Sequence, residues 1–387
     1  MIELERLLRE AREKDVSDVH LKVGREPIFR VHGSLYPQTE YRVISKDDME
    51  FIIESIITPE QEERLKRELS LDVAFVIEGV GRHRVNIYKQ KGEWAIAIRL
   101  IPAFIKSITE LNLPRVLEKL ALSRRGLILV TGVAGSGKST TLAAMLSHIN
   151  KNRTCTIITI EDPIEYELED EKAYIVQREV GIDTQSFAHG LKEALRQDPN
   201  VIMVGEIRDL ETAQTALLAA ETGHLVFSTL HTLDARETIN RFIAIFPSHQ
   251  QDQIRLQLAA VLKATIAQRL VPRSDIPGLV PAAEVMVNTA RVSEMIKDPS
   301  RTHEIQDAIA DGFVPYGMQT IDQSLFYLWK KEVISKETAL EFATQRETLE
   351  LRMRGISSGE EGRNWELFER RALRELREKK KQEGNNG

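Results

Sequence analysis

With one cysteine in 387 residues, Cys155, the chain can form no internal disulfide and no multi-cysteine zinc module, and it suits a reducing compartment. Cys155 is expected to be a buried packing residue. Long apolar runs are also missing: nothing approaches the ~18 residues that span a bilayer. The opening Met1-Ile2-Glu3-Leu4-Glu5-Arg6 lacks the basic-then-apolar order of a secretory signal, so the expectation is a cytosolic chain without a transmembrane segment. There is no excess of positive charge. Lys and Arg number 53 against 59 Asp and Glu, a net charge of −6, which argues against stable nucleic-acid binding and confines any anion recognition to a local site. Internal repeats are absent. Core material is not scarce, since 42% of residues are hydrophobic and the length suits two or three structural units.

What is present is a complete phosphate-binding loop, Gly132-Val133-Ala134-Gly135-Ser136-Gly137-Lys138-Ser139, with Thr140 next. It follows an apolar run, Gly126 to Thr131, and precedes a helix-forming segment, the context such a loop requires. Glycines let successive backbone N–H groups turn toward phosphate oxygens, Lys138 reaches the β and γ phosphates, and the Ser139 hydroxyl completes a magnesium shell. The sequence therefore predicts ATP and Mg2+ as ligands.

Residues 1–104 read as a mixed α/β domain: an opening helix, short strands around Val19 to Val31, a helix near Asp47 to Ile57, then paired strands. The hairpin Gly81–Tyr88 and Glu93–Leu100 turns through Gln90-Lys91-Gly92. A linker, 105–124, leads to a second domain, 125–359, in which strand-like and helical segments alternate, the signature of a mainly parallel sheet covered by helices. Its strand candidates are Leu127–Thr131, Thr154–Ile160, Val201–Val204 and Leu225–Thr229, separated by helices such as Phe187–Arg196 and Leu210–Glu221. After about residue 250 the pattern reads as mostly helical. A charged tail, 360–387, closes the chain; within it Trp365, Phe368, Ala372 and Leu376 stand at helical spacing, either as a docking face or as a solvated helix.

Three further segments place acids and histidines at strand ends, where an open α/β sheet keeps its ligand crevice. In Glu161-Asp162-Pro163-Ile164-Glu165, three carboxylates within five residues are costly to desolvate unless a cation or an activated water lies nearby. Glu165 is the preferred general base, with Glu161 the alternative; Glu161 and Asp162 otherwise support magnesium or its waters. The run Val201-Ile202-Met203-Val204-Gly205-Glu206 is an apolar strand delivering one carboxylate, which orients magnesium directly or through water. Arg208-Asp209 after it reads as a surface ion pair. Finally, His224 and His231 bracket Leu225–Leu230, separated by roughly 20 Å of extended chain, so both cannot touch one γ-phosphate. His231 is the phosphate sensor; His224 either transmits state to a neighbouring element or is structural.

Together the phosphate loop, the acidic box, the Gly205-Glu206 strand and the histidine box resemble the secretion and pilus motor ATPases, and within them the PilT family of type IV pilus retraction motors. The resemblance runs from Ser17-Asp18-Val19-His20 to Gly317-Met318-Gln319-Thr320-Ile321-Asp322-Gln323-Ser324-Leu325. It implies a PAS-like amino-terminal domain ahead of a RecA-like ATPase domain, and a homohexamer with ATP between subunits. The implied partner is an inner-membrane platform protein of the PilC kind at the pilus base, with a paralogous motor as a second partner. The implied outcome is ATP-driven pilus retraction, twitching motility and DNA uptake. It also gives Arg84 and Arg99, otherwise readable as an exposed β-face, a catalytic role near the γ-phosphate, where planar guanidinium groups offset phosphoryl charge. Where retraction motors carry an Ala-Ile-Arg-Asn-Leu-Ile-Arg-Glu-like helix, this chain reads Arg291-Val292-Ser293-Glu294-Met295-Ile296-Lys297-Asp298. An accessory PilU-like motor is therefore the alternative, beside a slow nucleotide-gated assembly ring.

Overall fold

The structure, a computed structural model, describes residues 3–356 apart from 15, 32, 102 and 103. The expected helical face from Trp365 lies outside the described residues. The chain divides into two compact units, one comprising the residues up to Ile105 together with Pro163–Glu167, the other Lys106–Asp162 and the residues from Leu168 onward.

The first unit is a six-stranded antiparallel sheet built from β1 (Asp18–Lys22), β2 (Ile28–Val31), β3 (Ser34–Pro37), β4 (Ser70–Ile77), β5 (Gly81–Gln90) and β6 (Glu93–Leu100), in the order β3-β2-β1-β6-β5-β4. Strand residues alternate between faces. Val19, Leu21, Val85, Ile87, Ile96 and Ile98 point into a core closed by helices Leu4–Glu13, Lys46–Ile56 and Pro59–Glu68. Ser45 and Thr58 start the latter two helices with reciprocal capping boxes. Between β5 and β6 the reversal uses only Lys91 and Gly92, both at positive φ, the two-residue turn whose twist suits a hairpin.

The second unit holds a seven-stranded sheet: β7 (Gly126–Thr131), β8 (Thr156–Glu161), β9 (Tyr174–Glu179), β10 (Val201–Val204), β11 (Leu225–Leu230), β12 (Leu262–Pro272) and β13 (Leu279–Val287), ordered β13-β12-β7-β11-β10-β8-β9. All neighbours run parallel except β12 and β13. Both faces are covered, so β7, β10 and β11 are buried along their whole length. Leu127, Leu129, Ile202 and Val204 meet helices Phe187–Ala194, Leu210–Glu221, Ala235–Ala244 and Gln251–Val261 on one side. Ile128, Val130, Met203 and Phe227 meet Val116–Ala121 and Lys138–Asn152 on the other.

One reading of the sequence gains a strand pair and another is corrected. The region after residue 250 is mostly helical, as expected, but it also holds two strands that the pattern did not show: β12 and β13 form a long antiparallel pair, and β12 lies parallel to β7, directly beside the phosphate loop. Its run Leu262–Pro272 is apolar enough to mimic a buried helix, and periodicity alone does not separate the two. Cys155 is only half-buried, packed at the rim of the core, with its thiol pKa raised by burial.

Candidate nucleotide site

The phosphate loop occupies the turn from the end of β7 into helix Lys138–Asn152. Gly132, Gly135 and Gly137 have φ of 140°, 76° and 87°, a region closed to most side chains. At Gly132 a Cβ would lie 2.3 Å from the Gln268 carbonyl oxygen and 2.4 Å from Ser136 Oγ, so glycine is required by space as well as by φ. Gly137 offers the helix no side-chain cap. First-turn N–H groups left without a capping side chain are what an anion binds. Lys138 Nζ donates to the carbonyls of Gly132 (2.9 Å) and Val133 (3.0 Å), lying back over the loop. Ser139 and Thr140 are half-buried on the same turn.

Two strands from β7, at the same end of the sheet as the loop, β10 delivers Glu206. Gly205 N–H donates to the Ile160 carbonyl (2.8 Å), Thr229 Oγ1 donates to the Gly205 carbonyl (2.7 Å) and Ile207 N–H to the Thr229 carbonyl (3.2 Å). The backbone on both sides of Glu206 is thus pinned to the neighbouring strands. Its carboxylate accepts from Arg208 Nε (2.7 Å) and lies 3.0 Å from His231 Nε2, at the end of β11. Two segments singled out separately in the sequence therefore meet in one ion-paired cluster. Arg208 and Asp209 do separate jobs: Arg208 forms its ion pair with Glu206, and Asp209 caps helix Leu210–Glu221 through Thr212.

Glu161, buried at the end of β8, accepts from Thr159 Oγ1 (2.6 Å) and Gln177 Nε2 (3.0 Å). Asp162 and Glu165 are exposed, and Glu165 makes no hydrogen bond or ion pair among the described residues. His224 sits at the start of β11, the opposite end of that strand from His231. Its Nδ1 donates to the Ala219 carbonyl (2.9 Å), closing the end of helix Leu210–Glu221. The structure does not bring the two histidines together.

In the first unit, Arg30, Asp18, Arg99 and Arg84 stand directly opposite one another on β2, β1, β6 and β5, a single row across one sheet face. Arg99 Nε donates to Asp18 (2.9 Å), Arg30 Nε lies 3.7 Å from the same carboxylate, and Arg84 Nε is 3.9 Å from Asp72. Nearby, Arg82 pairs with Glu167 at 3.4 Å.

Two residues of the second unit escaped the sequence reading. Gln268, in the middle of β12 and 4% exposed, donates from Nε2 to the Ser136 carbonyl (2.7 Å) and accepts from Thr141 Oγ1 (2.9 Å). Glu284, on β13, is fully buried; it accepts from the Ala235 N–H (2.8 Å) and from Gln306 (3.1 Å). Burial pushes its pKa up to about 7 against those hydrogen bonds. The available signal was a single polar residue inside an apolar strand, Ile266-Ala267-Gln268 and Ala282-Ala283-Glu284.

Comparison with known proteins decides the family. The sequence profile described as "Type II/IV secretion system protein" matches residues 2–312. The chain belongs to this family. Among the Type II/IV secretion system proteins, it is 39% identical to the type IV pilus retractation ATPase PilT of Pseudomonas aeruginosa, covering 88% of this chain and 98% of that one. It is 38% identical to the type IV pilus ATPase PilU of the same organism, covering 90% and 91%. The crystal structure of the pilus retraction motor PilT with bound ADP superposes with a TM-score of 0.82 at 41% identity, covering 90% of this chain and 99% of that one. The second unit is accordingly a RecA-like ATPase domain, preceded in sequence by a smaller α/β domain.

Proposed function

We propose that this protein is an ATP-hydrolysing motor that powers type IV pilus retraction, and with it twitching motility. One observation carries the reading: a complete phosphate loop, with glycines demanded by φ and by space, in a chain that matches a retraction motor over nearly its whole length. Lys138 and the first-turn N–H groups hold the triphosphate of ATP. Glu206, fixed by its backbone and poised between Arg208 and His231, orients magnesium and senses the γ-phosphate through His231. Hard oxygen donors at Ser139, Glu206, Glu161 and Asp162 suit Mg2+, which keeps most of its waters and needs only one or two protein ligands besides phosphate. Glu165 activates the attacking water, and Arg84 and Arg99 offset charge on the transferring phosphoryl group.

The working form in this reading is a homohexamer, peripheral to the cytoplasmic side of the inner membrane at the pilus base, acting on a platform protein. None of the helices formed by described residues is long and apolar enough to cross a membrane. The near-equal identity to PilT and PilU keeps an accessory role as the second reading; helix Ala290–Lys297, where Ser293 donates to the Ala259 carbonyl and Glu294 pairs with Lys297, departs from the retraction pattern. The deciding experiment measures ATP hydrolysis against protein concentration, with mass by light scattering, for wild type and Lys138→Ala. Turnover per subunit that rises as a six-subunit species forms, and vanishes in the variant, supports the motor. A monomer with equal turnover sinks the hexameric arrangement, and a wild type without turnover sinks the ATPase.

A further inference from the structure

Gln268 uses both ends of its amide on the phosphate loop, and does so from a strand that contributes nothing else to that loop's sequence. Its Nε2 donates to the Ser136 carbonyl at 2.7 Å, and its Oε1 accepts from Thr141 Oγ1 at 2.9 Å. The two contacts straddle Gly137, the residue that opens helix Lys138–Asn152, and Thr141 N–H closes the first helical turn on the Gly137 carbonyl at 3.0 Å. A planar trans peptide points its C=O and N–H in opposite directions. Holding the Ser136 carbonyl against β12 therefore turns the Gly137 N–H away from β12. The orientation of one phosphate-binding donor is fixed by a side chain 132 residues away in sequence.

Packing points the same way. The Gln268 backbone oxygen is the atom that forbids a Cβ at Gly132, and Gln268 Nε2 would lie 3.1 Å from a Cβ at Gly137. Both glycines that frame the loop are thus built against this one residue. A buried primary amide with both ends satisfied is a rigid connector; left half-satisfied, it would cost free energy.

We infer that Gln268 is a positioning residue for nucleotide phosphate: it presets the loop so that binding does not have to order it. This rests on the ATPase reading above and deepens it. Because the loop N–H groups hold phosphate before and during hydrolysis, losing the preset geometry weakens ground state and transition state alike. KM should rise while kcat holds.

The test uses the full-length chain, with ATP turnover, ADP affinity and melting temperature measured for Gln268→Met, which keeps length but loses the amide, for Thr141→Val, and for both together. In Gln268→Met, KM for ATP and Kd for ADP rise about tenfold, with kcat within about twofold of wild type. Thr141→Val gives a smaller rise and adds nothing on top of Gln268→Met, because the two share one hydrogen bond. Unchanged KM and Kd, with only kcat or melting temperature lowered, would show that Gln268 merely supports the fold and would overturn the inference. If Gln268→Met does not fold, Thr141→Val, which leaves β12 intact, decides on the same criterion. A wild type that binds no ADP overturns the ATPase reading along with this one, whereas an active wild type matched by both variants overturns this one alone.

Discussion

The two sheets solve the same problem differently. In the antiparallel sheet of the first unit one face is core and the other carries polar side chains, so charge can be displayed along the strands: Arg30, Asp18, Arg99 and Arg84 form a row because they are register partners. The mainly parallel sheet of the second unit is buried on both faces, so the few polar side chains along its strands, Gln268 and Glu284 among them, are locked in buried hydrogen bonds. The other groups of the site emerge where strands end, at Gly132, Glu161, Glu206 and His231. Functional side chains should therefore be nearly decoupled from stability in the first unit and embedded in loop geometry in the second. Lys138→Ala probes the second case with the largest expected effect. Turnover should fall by about a hundredfold or more, the scale of removing one preorganised charge from a phosphoryl-transfer site. The melting temperature should move little, because the ammonium donates to loop carbonyls on a half-buried surface turn. Turnover above a tenth of wild type would break the assignment.

Acidity separates the units in opposite directions. Glu284, with a pKa raised to about 7 by burial, holds a proton in the folded second unit that the unfolded chain releases at an ordinary 4.5. Stability of that unit is therefore full below about pH 4.5 and falls as pH rises to about 7, by up to about 3 kcal/mol. His83, fully buried on β5 with Nδ1 at 3.3 Å from the Phe75 carbonyl, is pushed down to about 4, mainly by burial. There the unfolded chain binds the proton first, so stability is full above pH 6.5 and is lost as pH falls through about 4. Peptide-resolved hydrogen exchange at pH 5, 6.5 and 8 should show the second unit opening more readily at pH 8 and the first at pH 5. Glu284→Gln should flatten only the former trend. Loss of both trends together in that variant would mean the units unfold as one.

How much of this was legible in the chain follows from the same contrast. The phosphate loop, the hairpin turn at Lys91-Gly92 and the strand ends bearing Glu206 and His231 are local patterns, with glycine and charge marking the backbone they need. Clamps made across the sheet are not local. Gln268 reads as one polar residue in an apolar run until β12 is laid beside β7, and the pairing of Arg208 with Glu206 rather than with Asp209 depends on where Asp209 is needed as a helix cap. The β12–β13 pair was hidden for a related reason. Strands buried on both faces lose the alternation that would have announced them. His224 shows the converse: its side chain is chemically versatile, but its position at the start of β11 assigns it to a helix end.

The first unit supplies the two smaller tests. Arg99→Ala should lower turnover by about tenfold through loss of one guanidinium near phosphoryl charge, with stability unchanged because the side chain is two-thirds exposed. Unchanged turnover would remove Arg99 from the catalytic set. Asp18→Asn should do least. Its carboxylate is the shared partner of Arg99 and Arg30, so neutralising it leaves two facing cations less restrained without emptying any core space. Asp18 itself is mostly covered, but its partner Arg99 is two-thirds exposed and screened by water, so the pair contributes about 1 kcal/mol or less, and urea unfolding should register no more than that. Turnover should change by no more than about threefold, because Arg99 keeps its charge and its place opposite Arg84 in the register. If Asp18→Asn cost more than about 2 kcal/mol, the row would be a structural strut, and the division of labour between a chemically free sheet face and a geometrically committed loop would fail for the first unit.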